Sequence, residues 1–269
     1  MHLAIISDIH GNCLALDAVL ADLKAHPADE ILCLGDAIQG GPQPAETVAR
    51  LRALGCPVVM GNADAWLLTG EETGSEDITP ERLRQLHEVR AWSLAQLSEA
   101  DRAFIAGFAP TIELRLEGGR ALLGFHGSPA SFDDLILPHT PDEEFRRLLG
   151  PYADRLLCGG HTHVQQIRHL GTSFFFNPGS VGLAYRHDQP EEGFRADPWA
   201  EYALLTSDGA RLALEFRRVP FDAAALIAVY RASGRPYAER AAAQYAPAPH
   251  PSGGIQSPSS APESGASAV

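Results

Sequence analysis

The sequence predicts a mixed α/β fold in which two sheets pack as a β-sandwich flanked by helices. Three observations carry that expectation. The first sixty residues alternate compact apolar runs with helix-period segments, a βαβαβ opening that calls for parallel strands. The middle of the chain changes to period two around a Gly-Gly turn, as in an antiparallel hairpin. Polar residues recur at the ends of the apolar runs, where open α/β sheets place ligands.

Leu3–Ser7 reads as a buried strand that stops at Asp8. Leu14, Ala15, Ala18, Val19 and Leu23 then recur at helical spacing until His26-Pro27 ends the helix. Glu30–Leu34 is the second strand and runs into Gly35-Asp36. A loop with Gly40, Gly41, Pro42 and Pro44 leads to a helix over Ala45–Leu54, and Pro57–Met60 is read as a third strand before Gly61-Asn62. Residues from about 71 to 109 read as a helical insertion, with Thr79-Pro80-Glu81 as a start signal.

Ile112–Glu117 alternates apolar and polar residues, Gly118-Gly119 turns, and Ala121–Phe125 returns towards His126. A helix near Asp142–Leu149 and a strand over Arg155–Cys158 lead to Gly159-Gly160-His161-Thr162-His163. Ser173–Phe176 is a strand ending in Asn177-Pro178-Gly179-Ser180. Tyr202–Thr206 and Leu212–Val219 form a pair around Ser207-Asp208-Gly209, and a last helix is expected from about Asp222 to Ala232. The folded domain is thus expected over residues 1–245. From Ala246 to Val269 the chain is Pro, Ser, Gly and Ala with almost no large apolar residue, the composition of a disordered tail.

The net charge of -13 and the lack of a Lys/Arg-rich run disfavour a nucleic-acid polymer as partner. No apolar run approaches the roughly 20 residues of a membrane span. Cys13, Cys33, Cys56 and Cys158 show no C-x-x-C spacing and read as reduced thiols of a cytoplasmic protein. The sequence leaves the oligomeric state open.

The chemistry sits in five short motifs in fixed order: Asp8-Ile9-His10, Gly35-Asp36, Gly61-Asn62, His126-Gly127 and His161-Thr162-His163. Carboxylate, carboxamide and imidazole are ligands for Mn, Fe, Zn and similar ions. Asp8 and His10 are two apart, as are His161 and His163, so in extended backbone each pair can point one way. Asp36 has two oxygens with which to bridge, and Asn62 offers a neutral one. Any single motif of this kind is usually a cap or a turn, whereas seven such groups, each beside a strand end, point to a two-metal hydrolase. Manganese is the first expectation, with Fe, Zn, Co or Ni as alternatives.

With these motifs, and with Asp8–Asn12, Gly35–Pro42 and Asn177–Gly182, the sequence resembles the calcineurin-like metallophosphoesterases over roughly residues 1–235. It is most similar to the small bacterial and archaeal phosphodiesterase branch. The resemblance implies a four-layer α-β-β-α sandwich. It implies one divalent ion held by Asp8, His10, Asp36 and His163, and a second held by Asp36, Asn62, His126 and His161. Two metals so placed lower the pKa of a shared water and clamp the attacking and leaving oxygens, so a bridging hydroxide attacks phosphorus without a covalent intermediate. Asp36, Asn62 and His126 form the catalytic set on this reading.

One position departs from the family. Many members have Gly-Asn-His at the third motif, with the His protonating the leaving oxygen; here Ala63 follows Asn62. The loss weighs most on poor leaving groups, and it argues against the dinucleoside-tetraphosphatase and serine/threonine phosphatase branches. His87 and His187 are candidate replacement acids. Asn12 (through nearby backbone groups), Arg186 and His187 are candidate substrate contacts, and Trp199 is weighed as a stacking platform against packing in its own loop. The expected substrate is a small phosphoester, a diester of a metabolite or nucleotide. The alternatives are a protein or nucleotide phosphomonoesterase, and a non-catalytic metal-bound scaffold.

Overall fold

The computed structural model describes residues 1–71, 78–190 and 193–246. The tail beyond Ala246 and the acids Glu191 and Glu192 lie outside the described residues. Two sheets form the centre. The first has the order β2 (Glu30–Cys33), β1 (His2–Ile6), β8 (Trp199–Ser207), β9 (Leu212–Pro220). The second has the order β3 (Ile112–Arg115), β4 (Ala121–Gly124), β5 (Leu156–Cys158), β7 (Ser173–Pro178), β6 (Gln165–Leu170).

Side-chain alternation divides each strand between two cores. Leu3 and Ile5 of β1 point to the second sheet and meet Leu32, Leu122, Cys158, Phe176 and Leu205. Ala4 and Ile6 point the other way, against Leu16 and Val19 of α1 (Cys13–Ala25) and Val48 and Leu51 of α2 (Pro44–Leu54). On the far side, Leu123, Leu157 and Phe175 of the second sheet pack on Phe145, Leu148 and Leu149 of α6 (Asp142–Leu149). The result is the four-layer α-β-β-α sandwich. β1 and β2 are parallel, as are β4, β5 and β7, so the site-bearing strands end at one rim.

Five features differ from the sequence expectation. Pro57–Met60 is not a full strand; it makes only isolated parallel bridges, Cys33 to Val58 and Val59 to Ala109. Asn62 opens a helix, α3 (Asn62–Thr69), that precedes the insertion helices α4 (Pro80–Gln96) and α5 (Glu99–Ala106). Gln165–Leu170 is a strand, β6, paired antiparallel with β7. Beyond α7 (Ala223–Ala232), which was expected to be last, α8 (Ala238–Ala243) folds back so that Ala241, Ala242 and Tyr245 pack on Leu226 and Tyr230. Leu97 is core and Leu94 packs against it. Trp199 begins a strand instead of lying in a loop, with Arg218 over its ring at 5.6 Å. Among the described residues no helix is long and apolar enough to cross a membrane.

Candidate metal centre

All seven motif residues converge where the two sheets meet. Asp8 and His10 follow β1, Asp36 follows β2, His126 follows β4, His161 and His163 follow β5, and Asn62 starts α3. The expected extended backbone is absent: Asp8, His10, Asp36, His161 and His163 all have positive φ, between 48° and 67°. Among the described residues only Tyr237 joins them as a non-glycine in that region. Each left-handed residue costs on the order of 1–3 kcal/mol, and such strain clusters at functional sites. The turn re-aims each side chain into the shared centre, which a straight strand overshooting the rim would not do.

Backbone hydrogen bonds hold these turns. The amides of Asp8, His10 and Gly11 donate to the carbonyls of Gly35, Asp36 and Ala37 at 2.8–2.9 Å, extending the β1–β2 ladder beyond the strands. Asp64, fully buried in α3, accepts the amides of Ala37 and Ile38 at 3.0 Å and fixes the segment after Asp36. Burial first, then the Asp36 carboxylate, pushes the Asp64 carboxyl up to about 7. Gly61 is required by closeness: a Cβ there would stand 2.1 Å from Asp36 Oδ1. Asn177 donates to Gly160 O (2.6 Å) and Thr162 Oγ1 (3.1 Å), and so braces the His161–His163 turn from behind.

The side chains fall into two groups, Asp8-His10-His163 and Asp36-His126-His161, with ligand atoms within 4.8 Å of one another in each. Asp36 Oδ2 lies between them, 3.8 Å from His10 Nε2 and 3.4 Å from His126 Nε2. Asn62 Oδ1 is 2.9 Å from His126 Nε2.

The donor set fits divalent cations. His10, His126 and His163 place Nδ1 2.7–2.9 Å from the carbonyls of Gln39, Leu34 and Leu183. A carbonyl only accepts, so each Nδ1 carries the proton and each neutral ring presents a bare Nε2 inward. His10 Nε2 and His163 Nε2 nevertheless face each other at 3.1 Å. Asp8 Oδ1 is buried and accepts no hydrogen bond among the described residues, with His163 Nε2 3.3 Å away. Lone pairs converge with no proton between them, an arrangement that only cations or extra protons stabilise. Without a cation the carboxylates recruit protons: burial opposes it, but Asp36 raises His126 to about 9, and Asp8 raises His163. Burial holds His10 and His161 below the usual imidazole value, neutral and ready to ligate.

The remaining candidates are placed otherwise. Asn12 is 1 % exposed. Its carboxamide caps α1 through Ala15 N (3.1 Å) and donates to Gly182 O (3.0 Å), so this side chain serves the loop that backs the site. Arg186 is exposed and forms a two-pronged ion pair with Asp188. His187 stacks on Tyr185 with ring centroids 4.4 Å apart, and Tyr185 in turn meets His163 at 5.5 Å. His187 is therefore at the margin of the cluster, while His87 lies against Trp66 of α3. Ala63 donates its backbone amide to Asp36 Oδ1 at 2.8 Å and has no side-chain proton to give. Beside His10, Asn62 and Ala63 opens a cavity of about 430 Å³, walled by α4 and by the segment from α7 to Tyr245. Neither Asp64 nor the braced carbonyls stood out in sequence; the Asp64 signal was its place two residues after Asn62.

Comparison with known proteins agrees with this geometry. Residues 1–197 match the family described as the calcineurin-like phosphoesterase superfamily domain. A Methanocaldococcus jannaschii protein, MJ0912, is 29 % identical over 241 residues, covering 82 % of this chain and 88 % of its own. The crystal structure of a metallophosphoesterase from Sphaerobacter thermophilus is similar at 28 % identity and a TM-score of 0.66, covering 91 % of this chain and 98 % of that one. In fold, the chain is also similar to the hypothetical protein PH1004 of Pyrococcus horikoshii OT3, at a TM-score of 0.72 and 20 % identity, over 87 % of this chain and 94 % of that one. The chain belongs to the calcineurin-like phosphoesterase superfamily and is a metal-dependent phosphoric ester hydrolase.

Proposed function

We propose that the protein is a phosphodiesterase that hydrolyses a small organic phosphodiester, of the metabolite or nucleotide class, at a dinuclear centre loaded first with manganese. The observation that carries this reading is the juxtaposition of Ala63 and the cavity. A monoester needs little room beyond its phosphate, whereas the second arm of a diester needs a place to lie. The cavity of about 430 Å³ opens beside Ala63, where a histidine would otherwise stand.

Divalent ions held there would supply Lewis-acid polarisation of the phosphoryl oxygens and an acidified water. Asp8, His10 and His163 would hold one ion, Asn62, His126 and His161 the other, and Asp36 would bridge. The carbonyls of Gln39, Leu34 and Leu183 keep the Nδ1 protons and turn each Nε2 into the shared centre, where it could ligate a cation. The burial of Asp8, Asp36 and His126 keeps bulk water from these donors, which strengthens their pull on charge. Ala63 offers the leaving oxygen no proton, so activated esters are favoured over poor leaving groups.

Manganese-loaded protein assayed on bis(p-nitrophenyl) phosphate and p-nitrophenyl phosphate tests the reading. A higher kcat/KM on the diester is expected. Failure on both esters with Mn, Fe, Zn, Co and Ni each supplied would remove the proposal, and a monoester preference would reverse it.

A further inference from the structure

The cavity beside Ala63 has a charge that the chain as a whole does not. The protein carries a net charge of -13, yet Arg82 of α4, Arg235 of the α7–α8 connection and Arg240 of α8 all line this space. Among the described residues none of the three pairs with a carboxylate. Arg235 donates Nε to Gly40 O and Nη1 to Pro236 O, both at 2.8 Å. Arg240 donates to the amide oxygen of Gln85 at 3.2 Å, and the Arg82 side chain makes no hydrogen bond to a described residue. Arg50, Arg84, Arg147, Arg155, Arg217 and Arg231, by contrast, are each matched with an acid. Asp133 is the acid on the lining.

The three guanidinium groups repel one another there. Burial, and then Arg240, holds Arg82 below its ordinary value; burial and Arg82 also lower Arg235. The fold keeps them together regardless. Tyr237 donates to Glu88 of α4 at 2.6 Å, and Arg240 reaches Gln85 of the same helix, so α8 is clamped against α4 across the cavity mouth. The rest of the wall is largely apolar, with Leu83, Leu86 and Val89 of α4 opposite Leu183 and Tyr230. Arg235 is tied to the metal cluster as well. It holds Gly40 O, and the adjacent Gln39 carbonyl orients His10.

We propose that this cavity is a phosphate subsite for the non-scissile part of the substrate, so that the preferred substrate is a phosphodiester whose ester arm carries a second phosphate on an apolar body. The inference rests on the phosphodiesterase reading above for the position of the scissile phosphate. A planar guanidinium fork matches phosphate with two hydrogen bonds, and three guanidinium groups with no carboxylate partner among the described residues, those of Arg82 and Arg240 exposed and that of Arg235 half-buried, suit a dianion better than a single carboxylate. A volume of about 430 Å³ is that of a nucleotide-sized ligand.

The test uses a matched pair of chromogenic diesters, thymidine 5′-(p-nitrophenyl phosphate) and the same compound with a 3′-phosphate. The 3′-phosphate is expected to lower KM by about tenfold or more in the wild-type protein, as a charge-assisted phosphate pair would. That ratio should fall towards one in the Arg82→Gln/Arg240→Gln variant. It should persist in Arg84→Gln, which alters a neighbouring arginine of α4 outside the cavity. Equal KM values for the two esters in the wild type, or a ratio that survives the double substitution, would overturn the proposal. If neither ester is turned over, the phosphodiesterase reading fails by itself. The subsite is then judged by calorimetry of metal-loaded protein with thymidine 3′,5′-bisphosphate against thymidine 5′-monophosphate. Tighter binding of the bisphosphate that is lost in the double variant upholds it, and equal binding refutes it.

Discussion

His10 Nε2 lies 3.1 Å from His163 Nε2, and the opposite nitrogen of each ring is committed to a backbone carbonyl. Two bare lone pairs at that separation repel, so the metal-free pair needs a recruited proton between them, a place that a cation would take over. Divalent ions are therefore expected to stabilise the fold. At about 100 times Kd the gain is about 2.7 kcal/mol, which for a chain of this size raises Tm by roughly 5–10 °C. Thermal melts with Mn and with a chelator check this. Replacing His163 by Gln should shrink the shift; a Tm indifferent to metal would show that the cluster does not bind ions.

Asp36 is the side chain shared by the two groups, with Oδ2 3.4 Å from His126 Nε2 and 3.8 Å from His10 Nε2. Asp36→Asn keeps the size and removes one anionic oxygen from the point where two cations would meet. We expect the second metal equivalent to be lost, with turnover falling by about 10³-fold, on the scale of several kcal/mol that metal-centred charge stabilisation supplies. Metal analysis of the purified variant together with diesterase kinetics gives the readout. Retained two-metal content with normal turnover would refute the bridging role.

The positions of these residues were legible because strand-ending Asp, Asn and His residues break apolar runs visibly. How they reach the centre was not legible. Left-handed φ at Asp8, His10 and Asp36 goes with ladder bonds between the two segments, and at His161 with its amide bond to the Asp8 carboxylate, none of which single-sequence spacing encodes. Tertiary context also decided the elements missed. Gln165–Leu170 has no clean alternation and becomes a strand because β7 offers it an antiparallel edge. Pro57–Met60 has the composition of a strand but meets its neighbours only at isolated bridges. The α8 segment is short and follows Tyr237 at φ 60°, so it is held by Tyr230 and Leu226 more than by its own propensity. The arginine-lined cavity combines residues about 160 positions apart, Arg82 and Arg240, beyond the reach of any local pattern.

Ala63 supplies only a backbone amide to Asp36, and its side chain faces the cavity next to His10 and Asn62. Ala63→His leaves that amide in place and adds an imidazole at the cavity wall. General acid catalysis is typically worth about 10²–10⁴-fold, and esters with poor leaving groups should gain most. The ratio of monoesterase to diesterase activity is expected to rise by at least about tenfold on alkyl phosphates. An unchanged ratio would mean that position 63 does not reach the leaving oxygen.

Asn177 touches none of the ions' expected ligand atoms, yet it fixes the turn that carries two of them. Its amide donates to Gly160 O and Thr162 Oγ1, and its oxygen accepts from Gly179 N at 2.8 Å. Asn177→Ala leaves buried backbone groups unpaired, a cost of about 1–3 kcal/mol. Loss of such bracing typically weakens metal affinity by about 10–100-fold. Metal titration followed by calorimetry, beside a melt in chelator, separates the two effects. A variant with lowered Tm but unaltered metal affinity would show that Asn177 supports the sheet alone.

Far from the site, Asp22 of α1 ties its helix to two strands of the first sheet by accepting from Arg217 Nε (2.7 Å) and Nη2 (3.0 Å) and from the Tyr202 hydroxyl (2.5 Å). The Arg217 hydrogen bonds, and after them that of Tyr202, hold its carboxyl below the usual carboxylate value despite partial burial. Its folded pKa thus lies below its unfolded one. The stabilisation is fully present above about pH 4, the unfolded value, and is lost as pH falls through the lower folded value. Asp22→Asn should therefore cost about 1–3 kcal/mol at neutral pH, the range for hydrogen bonds to a charged group. The gap between variant and wild type should close progressively below pH 4. Chemical denaturation in chelator from pH 7 to pH 2 measures it, with chelator present so that ion loss at the cluster does not add to the acid slope. A difference that stays constant over that range would show that the network stabilises through packing and not through the Asp22 charge.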